Sequence, residues 1–289
     1  MRLGPLRVLD LFSGIGGFSL GLGMAGGFET VAFCESEPFC RGVLARHWPG
    51  VPIYHDVREL TAERLTRDGI SPVDLVCGGF PCQDISDAGQ RKGIEGERSG
   101  LWSEFARLVG EIRPSFALVE NVPALLRGGG GRWMGRVLGD LAALGYDAEW
   151  HLLPASAVGA PHRRERVWIV AYPAVGRRQG EETLRQRESG ASGRGGVAPH
   201  LDLSGFPASQ QPEESATSQC RLEARPAAAE PRRPLRIDLR SSWPPEPDVA
   251  RMVHGLPGRV DRVKALGNAV VPPLVAAIGR GIIGAWRDF

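Results

Sequence analysis

The 289-residue chain has no uninterrupted run of 18 apolar residues, so no membrane-spanning helix is expected. Its first residues, MRLGPLRVLDLFSG, lack the charged-then-apolar layout and cleavage site of a signal peptide. The five cysteines include no CxxC pair, which speaks against both a disulfide framework and a zinc site. No metal is expected, and the cysteine usage suits a reducing, cytoplasmic compartment. Lysine is nearly absent: of 35 basic residues only Lys92 and Lys264 are Lys, and the rest are Arg. Arg pairs well with phosphate and guanine. With a net charge of only +2, however, the bias reads as composition, and charge alone does not show nucleic-acid binding.

What is present is ordinary in bulk and specific in detail. A content of 42% hydrophobic and 24% charged residues fits a globular chain. The length suggests one or two domains, at roughly 150 residues each. Residues 7–12, 29–34, 53–54, 73–77, 116–119, 147–153 and 166–171 read as short strands. Helix patterns cover 17–24, 37–48, 101–112, 132–144 and 272–286. Short apolar strands alternating with helices predict an α/β domain around a mostly parallel sheet. Residues 173–240 differ, with 10 Val, Leu, Ile or Phe in 68 residues. At about 15%, that is below the share usual for a packed core.

In such a sheet, functional groups collect at the carboxyl ends of strands. Here those ends carry the turn Ser13-Gly14-Ile15-Gly16-Gly17, then Glu35, Asp56, Pro81-Cys82 and Glu120-Asn121. Each acidic residue alone reads equally well as a helix cap; five such ends together point to a site. The glycine turn is not a dinucleotide fingerprint, because Ser19 stands where the last glycine of GxGxxG belongs. A nicotinamide oxidoreductase is disfavoured on that ground. Glu35 suits a ribose hydroxyl pair, and Asp56 an adenine amine. A ligand with adenine and ribose but no pyrophosphate, such as S-adenosylmethionine, would suit the set. Cys82 follows two glycines and Pro81 in a strand-end loop, unlike Cys34, Cys40 and Cys77, which read as small buried hydrophobes. A loop thiol facing a cleft can attack carbon. With Glu120 holding or giving a proton, the pair suits conjugate addition to an electron-poor ring.

These pieces resemble the DNA cytosine-5 methyltransferases of the bacterial and phage restriction–modification type. In order they are DLFSGIGGF (10–18), Glu35, Asp56-Val57, GGFPCQDIS (78–86), ENV (120–122), HRRERVWIVA (162–171), ARMVHGLP (250–257) and KALGNAVVPP (264–273). The resemblance implies the S-adenosylmethionine-dependent methyltransferase fold, Rossmann-like with a mostly parallel sheet. It implies that Phe12, Gly14, Ile15, Gly16 and Gly17 surround the methionine part of the cofactor. Glu35 would bind the ribose and Asp56-Val57 the adenine, with Pro81, Leu101, Asn268 and Ala269 closing the site. Cys82 would be the nucleophile, Glu120 would contact N3 of cytosine, and Arg164 and Arg166 would match the arginines of the QxRxR motif. Arg164 is expected near the thiol and the ring, stabilising negative charge. His162 stands where that motif has Gln.

The polar loop 83–100, with Gln83, Ser86, Arg91, Lys92 and Arg98, is expected to contact DNA. The domain reading is a catalytic domain over 1–172, a target-recognition insert over 173–242 and a C-terminal segment over 243–289 that completes the catalytic domain. Double-stranded DNA is the implied partner, with a cognate restriction endonuclease acting independently, and the protein is expected to be a monomer off the membrane. A tRNA cytosine-5 methyltransferase and a catalytically dead DNA-binding relative are the alternatives.

Overall fold

The computed structural model describes residues 4–81, 100–174 and 259–287. Its strands are β1 (Leu6–Leu11), β2 (Phe28–Cys34), β3 (Ile53–Tyr54), β4 (Leu75–Gly78), β5 (Phe116–Asn121), β6 (Tyr146–Leu153) and β7 (Arg166–Pro173). The helices are α1 (Gly17–Ala25), α2 (Pro38–His47), α3 (Ala62–Arg67), α4 (Leu101–Ile112), α5 (Ala124–Arg127), α6 (Arg132–Ala143), α7 (Arg259–Asn268) and α8 (Pro272–Arg287). The strands form one seven-stranded sheet in the order β3-β2-β1-β4-β5-β7-β6. All neighbours are parallel except β7, which runs antiparallel to both β5 and β6.

The strands read as they do because of burial. β4 and β5 are buried at every position, the near-continuous apolar pattern of a parallel strand covered on both faces. Along β1 the side chains alternate, with Leu9 and Leu11 in one core and Leu6 and Val8 in the other. The first core lies under α4 and α6 and contains Trp102, Phe105, Leu108 and Leu141. The second lies under α1 and α8 and contains Phe18, Leu22, Leu274, Ile278 and Ile282. The result is three layers, helix on sheet on helix.

Local chemistry sets the ends. Pro38 and Pro272 open α2 and α8, where their missing N–H costs nothing. Thr61 Oγ1 accepts the Arg64 N–H at 3.1 Å and caps α3. β1 stops at Leu11, one residue before the expected end, because Phe12 turns to a φ of +52° and begins the glycine loop.

The end of the described chain returns to its beginning. α8 crosses α1 at close range: a Cβ on Gly21 would meet the Pro272 carbonyl and Val275 Cβ at 2.5 Å. Burial of Leu274, Ile278 and Ile282 is worth roughly 1.5–3 kcal/mol each, so packing rather than propensity holds α8. By length and composition the stretch Val260–Arg287 could cross a membrane, contrary to the expectation from apolar runs alone. Yet 61% of its apolar window is buried against the rest of the chain, as in a core helix.

Candidate active site

The sheet order reverses between β1 and β4, and in such sheets ligands bind outside the carboxyl ends at that reversal. A cavity of about 470 Å³ opens there, a size suited to a cofactor-like small molecule. Its lining comes from every strand end predicted to matter. Phe12, Gly14 and Gly17 follow β1, Glu35 follows β2, and Asp56-Val57 follow β3. Pro81 follows β4, Leu101 opens α4, and Glu120 lies one residue before the end of β5. Arg166 reaches the same rim because β7 is antiparallel: it enters where the parallel strands leave.

At one end of the cavity the Glu35 carboxylate is held by two backbone donors, Gly14 N–H on Oε2 and Glu37 N–H on Oε1, both at 2.7 Å. The glycine turn and the second strand end are thereby locked together. Asp56 is gripped by Arg58, whose Nε and Nη2 donate to the carboxylate at 2.8–3.2 Å and whose backbone N–H adds a bond at 2.9 Å. That guanidinium holds the Asp56 carboxyl below the usual carboxylate range. Arg107 on α4 donates to the Val57 and Leu60 carbonyls at 3.0 and 2.9 Å, which fixes the turn carrying Asp56-Val57.

At the other end lies Glu120, 9% exposed. Burial pushes its carboxyl up to about 7, against the opposing pull of Arg166 and Arg164. Arg166 Nε sits 3.0 Å from Glu120 Oε1. Gly79 makes room for the carboxylate, since a Cβ there would lie 2.8 Å from Glu120 Oε2. Asn121 Nδ2 donates to the Phe80 carbonyl at 3.2 Å, tying the end of β5 to the loop that enters Pro81. A buried carboxyl that titrates near neutrality beside an arginine can hold or deliver a proton, and so can serve acid–base chemistry.

The remaining wall is the segment 264–270, from the last turns of α7 into the turn before α8, including Lys264, Ala265, Asn268 and Ala269. Arg164 does not line the cavity. Its Nη2 donates to the Gly267 and Ala269 carbonyls at 2.7 and 2.8 Å. Val270 packs onto the glycine turn, where a Cβ on Gly17 would meet Val270 Cγ2 at 2.8 Å.

Of the residues singled out from sequence, the cavity gathers Phe12, Gly14, Gly17, Glu35, Asp56, Val57, Pro81, Leu101, Glu120, Arg166, Asn268 and Ala269. Ile15 and Gly16 stand outside it. Gly16, at a φ of +85°, leaves space for the Trp48 ring instead. Cys82, Gln83, Ser86, Arg91, Lys92 and Arg98 lie outside the described residues, as does most of the proposed 173–242 insert. Cys34, Cys40 and Cys77 are buried, as expected. Sequence reasoning missed Phe39, Cys40 and Lys264 in the lining. Phe39 and Cys40 sit on the first turn of α2, just past the strand-end Glu35, a position that could have flagged them.

Residues 6–190 match the family model for C-5 cytosine-specific DNA methylases. The Type II methyltransferase M2.BsuMI of Bacillus subtilis (strain 168) is 40% identical over 170 residues, 57% of this chain and 42% of its own length. The Type II methyltransferase M.AquIA of Picosynechococcus sp. (strain ATCC 27264 / PCC 7002 / PR-6) is 32% identical over 176 residues, covering 57% of this chain and 71% of that protein. Among solved structures, a chain assigned as a DNA modification methyltransferase encoded within an E. coli prophage superposes with a TM-score of 0.51. It shares 32% identity over 58% of this chain and 47% of that one. The chain thus spans less than half the length of M2.BsuMI and of the prophage protein.

Proposed function

The chain belongs to the C-5 cytosine-specific DNA methylase family, and from that premise we propose that it methylates C5 of cytosine in a specific sequence of double-stranded DNA. The observation that carries the reading is one continuous cavity that runs from Glu35 and Asp56 to the Glu120–Arg166 pair. The residues fit S-adenosylmethionine. Glu35 and Asp56 offer carboxylates to ribose and adenine, the glycine turn admits close approach, and the pair at the far end is left for the base. When bound, that cofactor supplies an electrophilic methyl group.

The chain's own residues do the rest. Cytosine C5 is a poor nucleophile until something adds to C6. The Cys82 thiolate adds there, one residue beyond Pro81 in the cavity wall, while Glu120 holds a proton at N3. C5 is then electron-rich enough to accept the methyl group. Loss of the C5 proton and expulsion of the Cys82 thiolate restore the aromatic ring. Arg166 orients Glu120 and offsets charge beside it. Because C6 is attacked from the ring face, the cytosine leaves the duplex stack, at a cost of a few kcal/mol. The loop 83–100, with Gln83, Ser86, Arg91, Lys92 and Arg98, is proposed to grip DNA and offset that cost. Residues 173–242 are proposed as the insert that reads sequence, and a restriction–modification or phage self-protection role follows from the same reading.

Incubation with radiolabelled S-adenosylmethionine and either DNA or tRNA tests the reaction. Label is expected on DNA alone; transfer to tRNA alone would replace the reading with an RNA enzyme. Cys82→Ser is expected to abolish transfer while S-adenosylhomocysteine still binds, since a hydroxyl is far less nucleophilic than a thiolate near neutral pH. Turnover within about tenfold of the parent would refute the nucleophile.

A further inference from the structure

We propose that Arg164 is a positioning residue: it braces the C-terminal wall of the cofactor cavity against the end that carries Glu120. The inference rests on the functional reading above only for what the cavity binds. One nitrogen, Arg164 Nη2, donates to two carbonyls that are two residues apart, Gly267 and Ala269. A single donor shared in this way fixes the backbone of three residues, and all three line the cavity. Among the described residues Arg166, two residues on, makes no such bond to this wall and pairs with Glu120 instead. The two arginines of the motif therefore divide the work, one paired with Glu120 and one bonded to the C-terminal wall.

Three further observations favour a brace over a group that acts on the ring. The Arg164 backbone sits at a φ of +33°, a conformation that a non-glycine residue keeps only where its surroundings over-determine it. α7 cannot hold the wall by its own packing: Ala265 is buried, but Val260, Val263 and Leu266 are 79%, 56% and 65% exposed. A polar tie from this segment to the body, Lys264 Nζ to Glu37 Oε2 at 3.2 Å, is exposed, and such pairs are worth little. Bonds from a partly buried guanidinium are the stronger kind.

Arg164→Ala and Arg164→Lys separate the readings. In ligand-free Arg164→Ala, amide exchange at 265–270 is expected to quicken about tenfold while amides of β4 and β5 keep their protection. Binding of S-adenosylhomocysteine is expected to weaken about tenfold, and KM for S-adenosylmethionine to rise with it. The single-turnover rate at saturating cofactor should fall less than about threefold. Arg164→Lys, which keeps a charged donor, should recover most of the binding. Unchanged exchange and binding with a saturated rate down about a hundredfold would overturn the brace and make Arg164 act on the ring. Faster exchange throughout the sheet would also overturn it, as a loss of general stability. If the parent protein binds no S-adenosylhomocysteine, the functional reading fails and the exchange pattern alone decides the brace.

Discussion

Two buried carboxyls, Asp10 and Glu120, are both pushed up to about 7 by burial, and they play opposite parts. Glu120 opens on the cavity, so its raised value keeps a proton available near neutrality. Glu120→Gln is expected to slow single-turnover methylation by about 10²–10⁴ with little change in cofactor binding. In the parent, the rate-limiting contribution of the protonated carboxyl should fade as pH rises past about 7, and that limb should vanish in the Gln variant. Asp10 is fully buried beneath α1, and its Oδ2 accepts from Ser19 Oγ at 2.7 Å and from Ser19 N–H at 3.3 Å. Its Oδ1 has no hydrogen-bond partner among the described residues. The folded-state value lies above the ordinary 3.8, so the folded protein binds the proton more tightly than the unfolded chain does. The stability this contributes is therefore complete below about pH 4 and is lost as pH rises through about 7. Asp10→Asn should flatten that decline, by something on the order of 3 kcal/mol between pH 4 and pH 8. Urea unfolding of both proteins at the two pH values measures it; an identical pH slope would refute the assignment.

β4 ends in Gly78, and Gly79 follows it; the two glycines have separate duties. A Cβ on Gly78 would collide with the Leu11 carbonyl in the neighbouring strand, which is backbone and cannot yield. A Cβ on Gly79 would press only on the Glu120 carboxylate, which can swing aside. Gly78→Ala is therefore expected to lower stability by about 1–3 kcal/mol, as overpacking does. Gly79→Ala should leave the melting temperature nearly unchanged and cut the single-turnover rate about a hundredfold by displacing Glu120. Equal effects of the two on melting would contradict this division. The same elements show what the sequence made legible. All seven strands were readable, because apolar runs bounded by glycine, proline or charge announce them. α7 was not, because only Ala265 among its described positions turns to the core, so no apolar period exists to read. The direction of the Arg164 side chain was not legible either. Within HRRER, Arg164 and Arg166 stand two residues apart, but only the φ of +33° at Arg164 and the returning C-terminal segment direct the Arg164 side chain to the Gly267 and Ala269 carbonyls.

For the whole molecule, the part that chooses which cytosine is modified is proposed to lie in 173–242, outside the described residues apart from Pro173 and Ala174. Its 11 Arg and 9 acidic residues make it nearly neutral, so affinity from bulk charge should be modest and base contacts should decide the site. Replacing 177–240 with a Gly/Ser linker is expected to keep S-adenosylhomocysteine binding and abolish context-specific methylation; bisulfite sequencing of DNA from expressing cells reads the result. An unchanged methylation context would move recognition to the loops of the sheet domain. The cavity wall at 264–270, far along the chain from the rest of the site, has one more consequence, for biosynthesis. On a ribosome the whole sheet is complete once Ala174 emerges, yet Lys264 follows ninety residues later. At roughly 5–20 residues per second, that leaves an interval of about 5–18 s. During it the strands carrying Glu35, Asp56 and Glu120 have emerged, but the C-terminal wall and α8, which covers one face of the sheet, have not. A complete cavity is therefore expected only after synthesis has passed the segment proposed to choose the target.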